Sequence, residues 1–287
     1  MLLTVIRVRQ GEPVKYKLLA LDLDGTTLTS QHEILPQVNK EIQRIKDDVV
    51  VLLVTGRHHT AAKPYHHELG LDTPIISCNG TYIYDFNNEL IVKENALPKD
   101  KAKQFLQLAR QHQLNMVMYV TDAMTFSSEN PIEYMKALEA WAEDFPAAIK
   151  PEIRRIASFE HELEQNDYIW KFVVEGDIEQ IESFTQLPFI QDEFSGEKSW
   201  SNRIDFANKG NTKGARLAEY IQTIGIKPSE VIAIGDNHND ISMIELAGIG
   251  VAMANADDVV KRAADILTPE GNDGQGIADI ISTYFSA

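Results

Sequence analysis

The chain has 287 residues, of which 44% are hydrophobic, and this length predicts one or two globular domains. A formal net charge of −16 at pH 7 argues against nucleic acid or an anionic membrane as a partner. The single cysteine, Cys78, excludes an intramolecular disulfide framework and suits a reducing cytoplasm, where we expect the protein.

Residues 1–16 form an N-terminal extension ahead of the first clear element, and we predict either a short extra strand or a frayed tail there. The extension lacks the basic and long apolar regions of a secretory signal. No apolar stretch in the sequence reaches the ~20 residues that a membrane span needs. We therefore expect no membrane association.

The first predicted strand, Leu18–Leu21, runs into the sequence Asp-Leu-Asp-Gly-Thr at 22–26. Alternate residues of a strand point the same way, so Asp22 and Asp24 both face one crevice. That crevice lies beyond the carboxyl end of the strand, where open α/β sheets bind ligands. The pair is typical of phosphate handling, in which one carboxylate attacks and the other moves a proton.

The second predicted strand, 49–54, is apolar and rich in β-branched residues, as buried parallel strands are. It ends on Thr55 and Gly56, whose hydroxyl and backbone amide can hold a phosphoryl oxygen. The other interpretation of this pair is an ordinary turn between a strand and a helix. A third strand is predicted at 75–78, where we interpret Cys78 as a small buried residue without a nucleophilic role.

More than a hundred residues in the middle of the chain carry no catalytic motif but have strands and helices of their own. We predict an inserted α+β cap domain over 85–203, joined to the core by two short crossings that act as hinges. Its predicted strands are 116–120, 169–174 and 203–206, and its predicted helices are 100–111, 131–143 and 178–184.

After the cap, residues 210–214 open an amphipathic segment that runs to about 224 and places Lys213 in the first turn of a helix. Cations normally favour the other end of a helix, so this lysine stands against the usual preference. A solvated surface position is the ordinary alternative for a single lysine. We interpret Lys213 as a candidate for contact with an anion.

A second acidic cluster follows the predicted strand 231–234. It contains Asp236 and Asp240, again at the end of a strand. Together with Asp22 and Asp24 they would form a set of hard oxygen ligands that suits Mg²⁺.

Two further strands, at 249–253 and 266–268, complete a rhythm of strands alternating with helices. This rhythm predicts a doubly wound parallel sheet of the Rossmann-like α/β class. We assign 17–84 and 204–287 to this core.

The motifs at Asp22, Thr55, Lys213 and Asp236 occur in the order of the four motifs of the haloacid dehalogenase superfamily, and the chain resembles its Cof-type phosphatases. The resemblance covers everything after the extension and implies a C2-type cap and phosphoric monoester hydrolysis with Mg²⁺. Further segments resemble the branch that hydrolyses pyridoxal phosphate, and these are 54–59, 77–82, 118–120, 122–124 and 170–172.

The resemblance implies a role for each motif residue. Asp22 would be the nucleophile that takes the phosphoryl group, and Asp24 the general acid and base. Ion-pumping ATPases of the superfamily have threonine at the second position, so Asp24 favours turnover. The implied metal ligands are Asp22, the carbonyl of Asp24, Asp236, and Asp240 either through water or by supporting the others. The implied phosphate contacts are Lys213, Thr55, Asn239 and the amides of Leu23 and Gly56.

Specificity is expected in the cap, which would close over the core and exclude water. Tyr119, Asp122, Trp170 and Lys171 are candidates to stack on and hydrogen-bond a heteroaromatic ring. Arg57 is either a second anion contact or part of a structural ion pair.

Three functions remain open. The first is Mg²⁺-dependent hydrolysis of a small phosphorylated metabolite, with pyridoxal 5′-phosphate favoured and sugar phosphates or flavin mononucleotide next. The second is phosphotransfer within the superfamily, as in a phosphomutase. The third is a non-catalytic phosphoacceptor, against which Asp24 and the cap argue. The sequence gives no oligomeric state.

Overall fold

The computed structural model of the chain describes residues 16–200 and 202–285. All but the last residue of the predicted N-terminal extension lies outside these residues. Within the described ranges, no helix combines the length and the apolar character needed to cross a membrane.

The elements follow one another along the whole described chain. The strands are β1 (Leu18–Leu21), β2 (Val50–Leu53), β3 (Ile75–Ser77), β4 (Tyr82–Asp85), β5 (Leu90–Glu94), β6 (Asn115–Val120), β7 (Met124–Ser127), β8 (Ile153–Ile156), β9 (Ile169–Glu175), β10 (Phe194–Trp200), β11 (Arg203–Asn208), β12 (Val231–Gly235), β13 (Ile249–Ala252) and β14 (Ile266–Leu267). The helices are α1 (Pro36–Ile45), α2 (His59–Glu68), α3 (Lys99–Gln111), α4 (Glu133–Ala142), α5 (Phe159–Gln165), α6 (Ile178–Thr185), α7 (Pro188–Glu193), α8 (Lys213–Thr223), α9 (Ile241–Leu246), α10 (Asp258–Ala263) and α11 (Gly276–Tyr284).

The central sheet has five parallel strands in the order β14-β13-β12-β1-β2. Alternate residues of β1 enter different hydrophobic clusters, because successive side chains of a strand point to opposite faces. Leu19 and Leu21 pack in the cluster that contains α1 and α11, whereas Leu18 and Ala20 pack in the cluster that contains α8. Helices therefore cover both faces, which confirms the predicted doubly wound α/β core.

The third predicted strand differs from expectation. β3 touches the central sheet through one parallel bridge, between Val54 and Ile76, and otherwise pairs antiparallel in a small sheet with β4 and β5. The strand ends at Ser77, since Cys78 and Asn79 adopt positive φ angles of 51° and 56°. Cys78 is buried, and burial raises the pKa of its thiol to about 12, so the thiol stays protonated at neutral pH.

A second layer contains a six-stranded sheet in the order β10-β11-β9-β6-β7-β8, antiparallel except for the β7–β8 pair. One face packs against α3, α5 and α6 around Phe105, Phe172 and Phe184. The other face shares a hydrophobic cluster with Tyr82 of the core. Helix α4 packs on this second face through Met135. A mixed sheet packed against helices confirms the predicted α+β cap.

The boundaries of the cap need adjustment. We predicted that the core resumes at residue 204, but β11 pairs with β9 and β10 inside the cap sheet. β5 pairs with β4 beside the core, so the chain has not left the core by residue 85. We therefore propose crossings at 95–98 and 209–212. Side-chain hydrogen bonds of 2.7 to 3.1 Å join Asn95 at the first crossing to Asn208 and Asn211 at the second.

Candidate active site

The site forms where three neighbouring parallel strands end at one edge of the central sheet. Leu21 of β1 lies in register with Leu53 of β2 and Ile234 of β12. The loops that leave these strands therefore begin side by side. They carry Asp22, Thr55 and Asp236, which the sequence had placed in three separate motifs.

Lys213 lies between two carboxylates at the bottom of the site. Its Nζ is 2.6 Å from Oδ1 of Asp22 and 2.6 Å from Oδ1 of Asp240, and its side chain is completely buried. Burial by itself lowers the pKa of Lys213, but attraction by Asp22 and Asp240 outweighs it and leaves that pKa above the usual value. Lys213 is therefore a fixed cation, and the solvated alternative is excluded.

Thr212 explains why a lysine can occupy the first turn of α8. The Thr212 hydroxyl caps the helix by accepting a hydrogen bond from the Ala215 amide at 3.0 Å. The positive helix end repels Lys213, but the two carboxylates beside it provide a stronger compensating attraction.

Three carboxylates converge around this single ammonium group. Asp22, Asp236 and Asp240 each offer an oxygen, and these oxygens all lie within 4.8 Å of one another. Burial and repulsion by Asp240 raise the pKa of Asp22, against the opposing effect of Lys213. Burial and the same repulsion raise the pKa of Asp236 to about 6. The excess negative charge, on hard oxygen donors, suits a divalent cation such as Mg²⁺.

The three acids differ in how their oxygens are used. Asp240 Oδ2 accepts hydrogen bonds from the amides of Asp236 and Asn237 at 3.0 Å each, and its Oδ1 contacts Lys213. Asp236 Oδ1 accepts a hydrogen bond from the Thr26 hydroxyl at 2.8 Å. Asp240 is thus occupied on both oxygens, and its carboxylate holds the loop that carries Asp236.

Gly25 allows the loop after β1 to approach Asp236. Its φ is +75°, and a Cβ atom there would lie 2.3 Å from Asp236 Oδ2. Only glycine fits both conditions. Position 25 of the first motif therefore has to be glycine, because the Asp236 carboxylate of the last motif lies against it.

Asp24, two residues beyond Asp22, lies at the mouth of the site with its side chain 46% exposed. Arg57 holds it with two hydrogen bonds, from Nε to Oδ2 at 2.7 Å and from Nη2 to Oδ1 at 2.6 Å. Partial burial by itself raises the pKa of Asp24, but the bonds from Arg57 lower it below its usual range. Asp24 is therefore ionised in this arrangement, and Arg57 makes an ion pair.

The opposite wall of the site is built from three polar groups. Thr55 is buried, and its hydroxyl accepts a hydrogen bond from the Arg57 amide at 3.1 Å. Asn239 donates from Nδ2 to Oδ1 of Asn79 at 2.9 Å. A Cβ atom on Gly56 would lie 2.9 Å from that same Asn79 oxygen. Asn79 thus connects the second motif to the last one.

A cleft of about 230 Å³ separates these core residues from the cap. Lys171 of β9 crosses it, with Nζ 3.0 Å from the carbonyl oxygen of Gly56. The same ammonium group forms an ion pair with Asp205 and lies 4.5 Å from the ring centroid of Tyr119. The cap therefore contacts the loop that carries Thr55.

The comparisons with known proteins agree with this geometry. A model of the family of haloacid dehalogenase-like hydrolases matches residues 19–281. The chain belongs to the haloacid dehalogenase-like hydrolase family. This membership confirms the family resemblance drawn from the four motifs.

Relatives of the hydrolase are similar over nearly their whole length. Pyridoxal phosphate phosphatase YbhA of Escherichia coli is 37% identical over 270 residues, which cover 93% of this chain and 98% of the relative. The 5-amino-6-(5-phospho-D-ribitylamino)uracil phosphatase YitU of Bacillus subtilis is 29% identical and covers 94% and 97%. A solved structure of a haloacid dehalogenase-like hydrolase from Bacteroides thetaiotaomicron has a TM-score of 0.82 at 30% identity, covering 94% and 99%.

The structure brings most of the predicted site residues of the hydrolase together. Asp24, Gly56, Arg57, Tyr119, Lys171 and Asn239 all line the cleft. Leu23 lies between the two motif aspartates, with its side chain completely buried.

Two cap residues that we expected to contact substrate lie elsewhere. Trp170 is fully buried and stacks between Tyr82, at 4.0 Å, and Tyr168, at 4.8 Å. It is the extra residue of a β-bulge, because Ile169 and Lys171 pair with consecutive residues of β6, and its side chain packs in the hydrophobic cluster between the cap sheet and Tyr82. Asp122 makes an exposed ion pair with Arg154 at 2.9 Å. The expectation of direct substrate contact is corrected for Trp170 and Asp122.

The sequence interpretation missed other residues of the cleft. Asp205 and Arg203 alternate on β11, so they share the sheet face that carries Lys171. That spacing was visible in the predicted strand 203–206. Asn79 had a local signal, since Asn-Gly after a strand is typical of a left-handed turn. Tyr134 and Glu197 had no signal outside the tertiary structure.

Proposed function

We propose that this hydrolase is a Mg²⁺-dependent phosphatase of small phosphate monoesters, with pyridoxal 5′-phosphate as its preferred substrate. The contact of Lys213 with Asp22, in a cluster of three carboxylates at the end of β1, carries the proposal. The order of the four motifs and the activities for which the two relatives are named support it.

Asp22 is the proposed nucleophile, forming an aspartyl phosphate that water then hydrolyses. Its carboxylate is held by Lys213, so it meets the substrate in a fixed orientation. Lys213 also offsets the negative charge that spreads over the phosphoryl oxygens in the transition state. Thr55, Asn239 and the amides of Leu23 and Gly56 are the proposed contacts for the other oxygens.

The acidic cluster fits the metal that the family implies. Asp22 and Asp236 would hold Mg²⁺ directly, together with the carbonyl of Asp24, because both oxygens of Asp240 already accept hydrogen bonds. We assign Asp240 a supporting role. When bound, the metal supplies positive charge that lets an anionic phosphate approach the carboxylates.

Asp24 is the proposed general acid and base. It has to carry a proton when the leaving oxygen departs, but Arg57 holds it ionised. We infer that Arg57 moves away from Asp24 when substrate is bound, so that Asp24 takes up a proton from solvent. Asp24 then gives this proton to the leaving oxygen as the bond between that oxygen and phosphorus breaks. Once charged again, Asp24 removes a proton from the water that attacks the phosphoaspartate.

Pyridoxal 5′-phosphate is favoured over other esters for two reasons. The relative with the highest identity among those named above acts on it, and the cap side of the cleft carries aromatic rings together with hydrogen-bonding groups. The competing esters are 5-amino-6-(5-phospho-D-ribitylamino)uracil, for which the second relative is named, sugar phosphates and flavin mononucleotide. Phosphotransfer to a bound sugar is the competing reaction.

Phosphate release from this panel of esters, with Mg²⁺ or EDTA, tests the proposal. We expect the fastest turnover with pyridoxal 5′-phosphate and Mg²⁺, and its loss in Asp22→Asn. The exposed Asp48→Asn variant is the matched control and should retain wild-type activity. Faster turnover of another ester would overturn the substrate, and no hydrolysis by folded protein with Mg²⁺ would overturn the phosphatase function.

A further inference from the structure

Tyr134, in the first turn of α4, presents a polar atom that the described chain does not satisfy. Its hydroxyl is buried and has no hydrogen-bond partner among the described residues. The residue nevertheless lines the cleft, opposite Asp24 and Asn239 of the core. A buried hydroxyl without a partner is unfavourable, and a native structure retains one where it has a use.

The ring of Tyr134 is held in place. The guanidinium carbon of Arg203 lies 3.5 Å from the ring centroid, a cation–π contact. Arg203 is itself fixed by an ion pair with Glu175 at 2.8 Å. The hydroxyl therefore cannot readily turn to find a partner, and its position is set before any ligand arrives.

The hydroxyl of Tyr134 is a hydrogen-bond donor at neutral pH. Burial, followed by repulsion from Tyr119 and Asp205, raises its pKa well above the usual value, against the opposing effects of Arg203 and Lys171. The neighbouring carboxylates already have partners, because Asp205 is paired with Lys171 and Glu175 with Arg203. The donor is thus available to an oxygen atom that enters the cleft.

A second unpaired polar atom faces the cleft from the core. Oδ1 of Asn239 is buried without a partner in the described chain, since Asn239 uses its Nδ2 to bind Asn79. One unsatisfied group therefore lies on each side of the same space. Both residues line one cleft, so a ligand whose phosphate lies at the core can place its leaving group at the cap.

We propose that Tyr134 determines specificity, by donating a hydrogen bond to an oxygen acceptor on the leaving group of the substrate. The favoured class is a phosphate monoester whose planar ring carries a phenolate or carbonyl oxygen. This inference rests on the proposed function, because it requires the phosphate to lie at Asp22. It adds a residue that no sequence motif contains.

Tyr134→Phe tests the proposal, since it removes the hydroxyl and leaves the ring under Arg203. The two esters to compare are pyridoxal 5′-phosphate and benzyl phosphate. Both join phosphate to a planar ring through one methylene, but benzyl phosphate lacks the ring oxygens. We expect the kcat/KM for pyridoxal 5′-phosphate, divided by that for benzyl phosphate, to be about tenfold lower in Tyr134→Phe than in the wild type. This is the effect of one lost hydrogen bond.

Tyr168→Phe is the matched control, because this tyrosine stacks on Trp170 away from the cleft and should leave the ratio unchanged. The thermal midpoint separates a binding role from a structural one. Since the Tyr134 hydroxyl has no partner within residues 16–200 and 202–285, Tyr134→Phe should unfold at no lower temperature than the wild type. An unchanged ratio, or a clearly lower midpoint, would overturn the proposal.

Failure of the proposed function can be distinguished from failure of the role of Tyr134, because it is seen in the wild type. If the wild type prefers another ester with a ring oxygen, the same ratio is measured with that ester. If the wild type hydrolyses none of them, the phosphatase function fails, and calorimetric binding of pyridoxal 5′-phosphate and benzyl phosphate replaces kcat/KM. A Tyr134→Phe variant that binds the two esters in the wild-type ratio then rejects the inference.

Discussion

The two sides of the cleft are built in different ways. On the core side, Lys213, Asp22 and Asp240 are buried and satisfy one another at 2.6 Å. On the cap side, Lys171 and Asp205 form a comparable pair, but the Tyr134 hydroxyl beside them has no partner among the described residues. The core side is thus a network of charged groups, whereas the cap side combines a charged pair with a neutral donor. Under the proposed function, this difference assigns the chemistry to the core and recognition of the leaving group to the cap.

Replacement of the nucleophile should affect every ester equally, if the core acts independently of the leaving group. Asp22→Asn is expected to reduce kcat by at least about 10⁴-fold, in the range found when a catalytic nucleophile is removed. Single-turnover phosphate release from several esters measures it. A loss that differs strongly between esters would contradict the separation of the two sides.

Loss of Lys213 should destabilise the core far more than the cap. Lys213→Met leaves two buried carboxylates without their cation, which is expected to lower the free energy of unfolding by about 3–5 kcal/mol. Mg²⁺ should restore part of this stability, because it offsets the same charges. Urea unfolding with and without Mg²⁺ checks both effects.

Lys150→Met is the control for the lysine variant, since its ion pair with Glu143 is exposed. Such pairs contribute little, so its expected loss is below about 1 kcal/mol. Equal losses in the two lysine variants would show that burial of Lys213 does not determine its contribution.

Acid should destabilise the folded chain through a histidine buried where the core meets the cap. His58 begins the α2 segment, and its Nε2 lies 2.9 Å from the carbonyl oxygen of Val120 on the cap. Burial lowers the pKa of His58 from 6.5 to about 4. The unfolded chain therefore binds a proton between pH 6.5 and 4 that the folded chain excludes, so stability falls as the pH falls through this range. At ~1.4 kcal/mol for each pH unit, the loss from His58 is about 3 kcal/mol.

Unfolding free energies at pH 7 and pH 4.5 measure this effect. His58→Gln should reduce the difference between the two pH values, whereas the exposed His67→Gln should leave it as in the wild type. An unchanged pH dependence in His58→Gln would refute the assignment.

The smallest expected effect belongs to Asn79, which supports the core side without touching either charged pair. Asn79→Gly removes the amide that accepts from Asn239 but tolerates the φ of 56°. We expect about a tenfold loss of kcat, equal for all esters. Asn79→Ala should lose the same activity and, in addition, ~1 kcal/mol of folding stability, because alanine is unfavourable in the left-handed backbone conformation at this position. Activity losses that differ between Gly and Ala would assign the effect to the backbone.

Much of the core could be predicted because its signals are local. Apolar runs at β1, β2 and β12 end in acids or Thr-Gly, and parallel strands necessarily end at one edge of the sheet. The cap gave weaker signals. Its strands were predicted, but a β-bulge places Trp170 in the buried cluster with Tyr82, and no period of hydrophobic residues reveals a bulge.

The sequence by itself therefore determined the candidate catalytic groups, because short motifs at strand ends fix both residue type and direction. Only the tertiary structure decided which groups meet across the cleft. Lys171 reaches Gly56 and His58 reaches Val120 across the cleft, and within the core Arg57 pairs with Asp24, all through contacts between residues distant in sequence. Such contacts depend on how packed elements meet in three dimensions. The sequence pattern of each element predicts its own strand or helix but not the residues that it will contact.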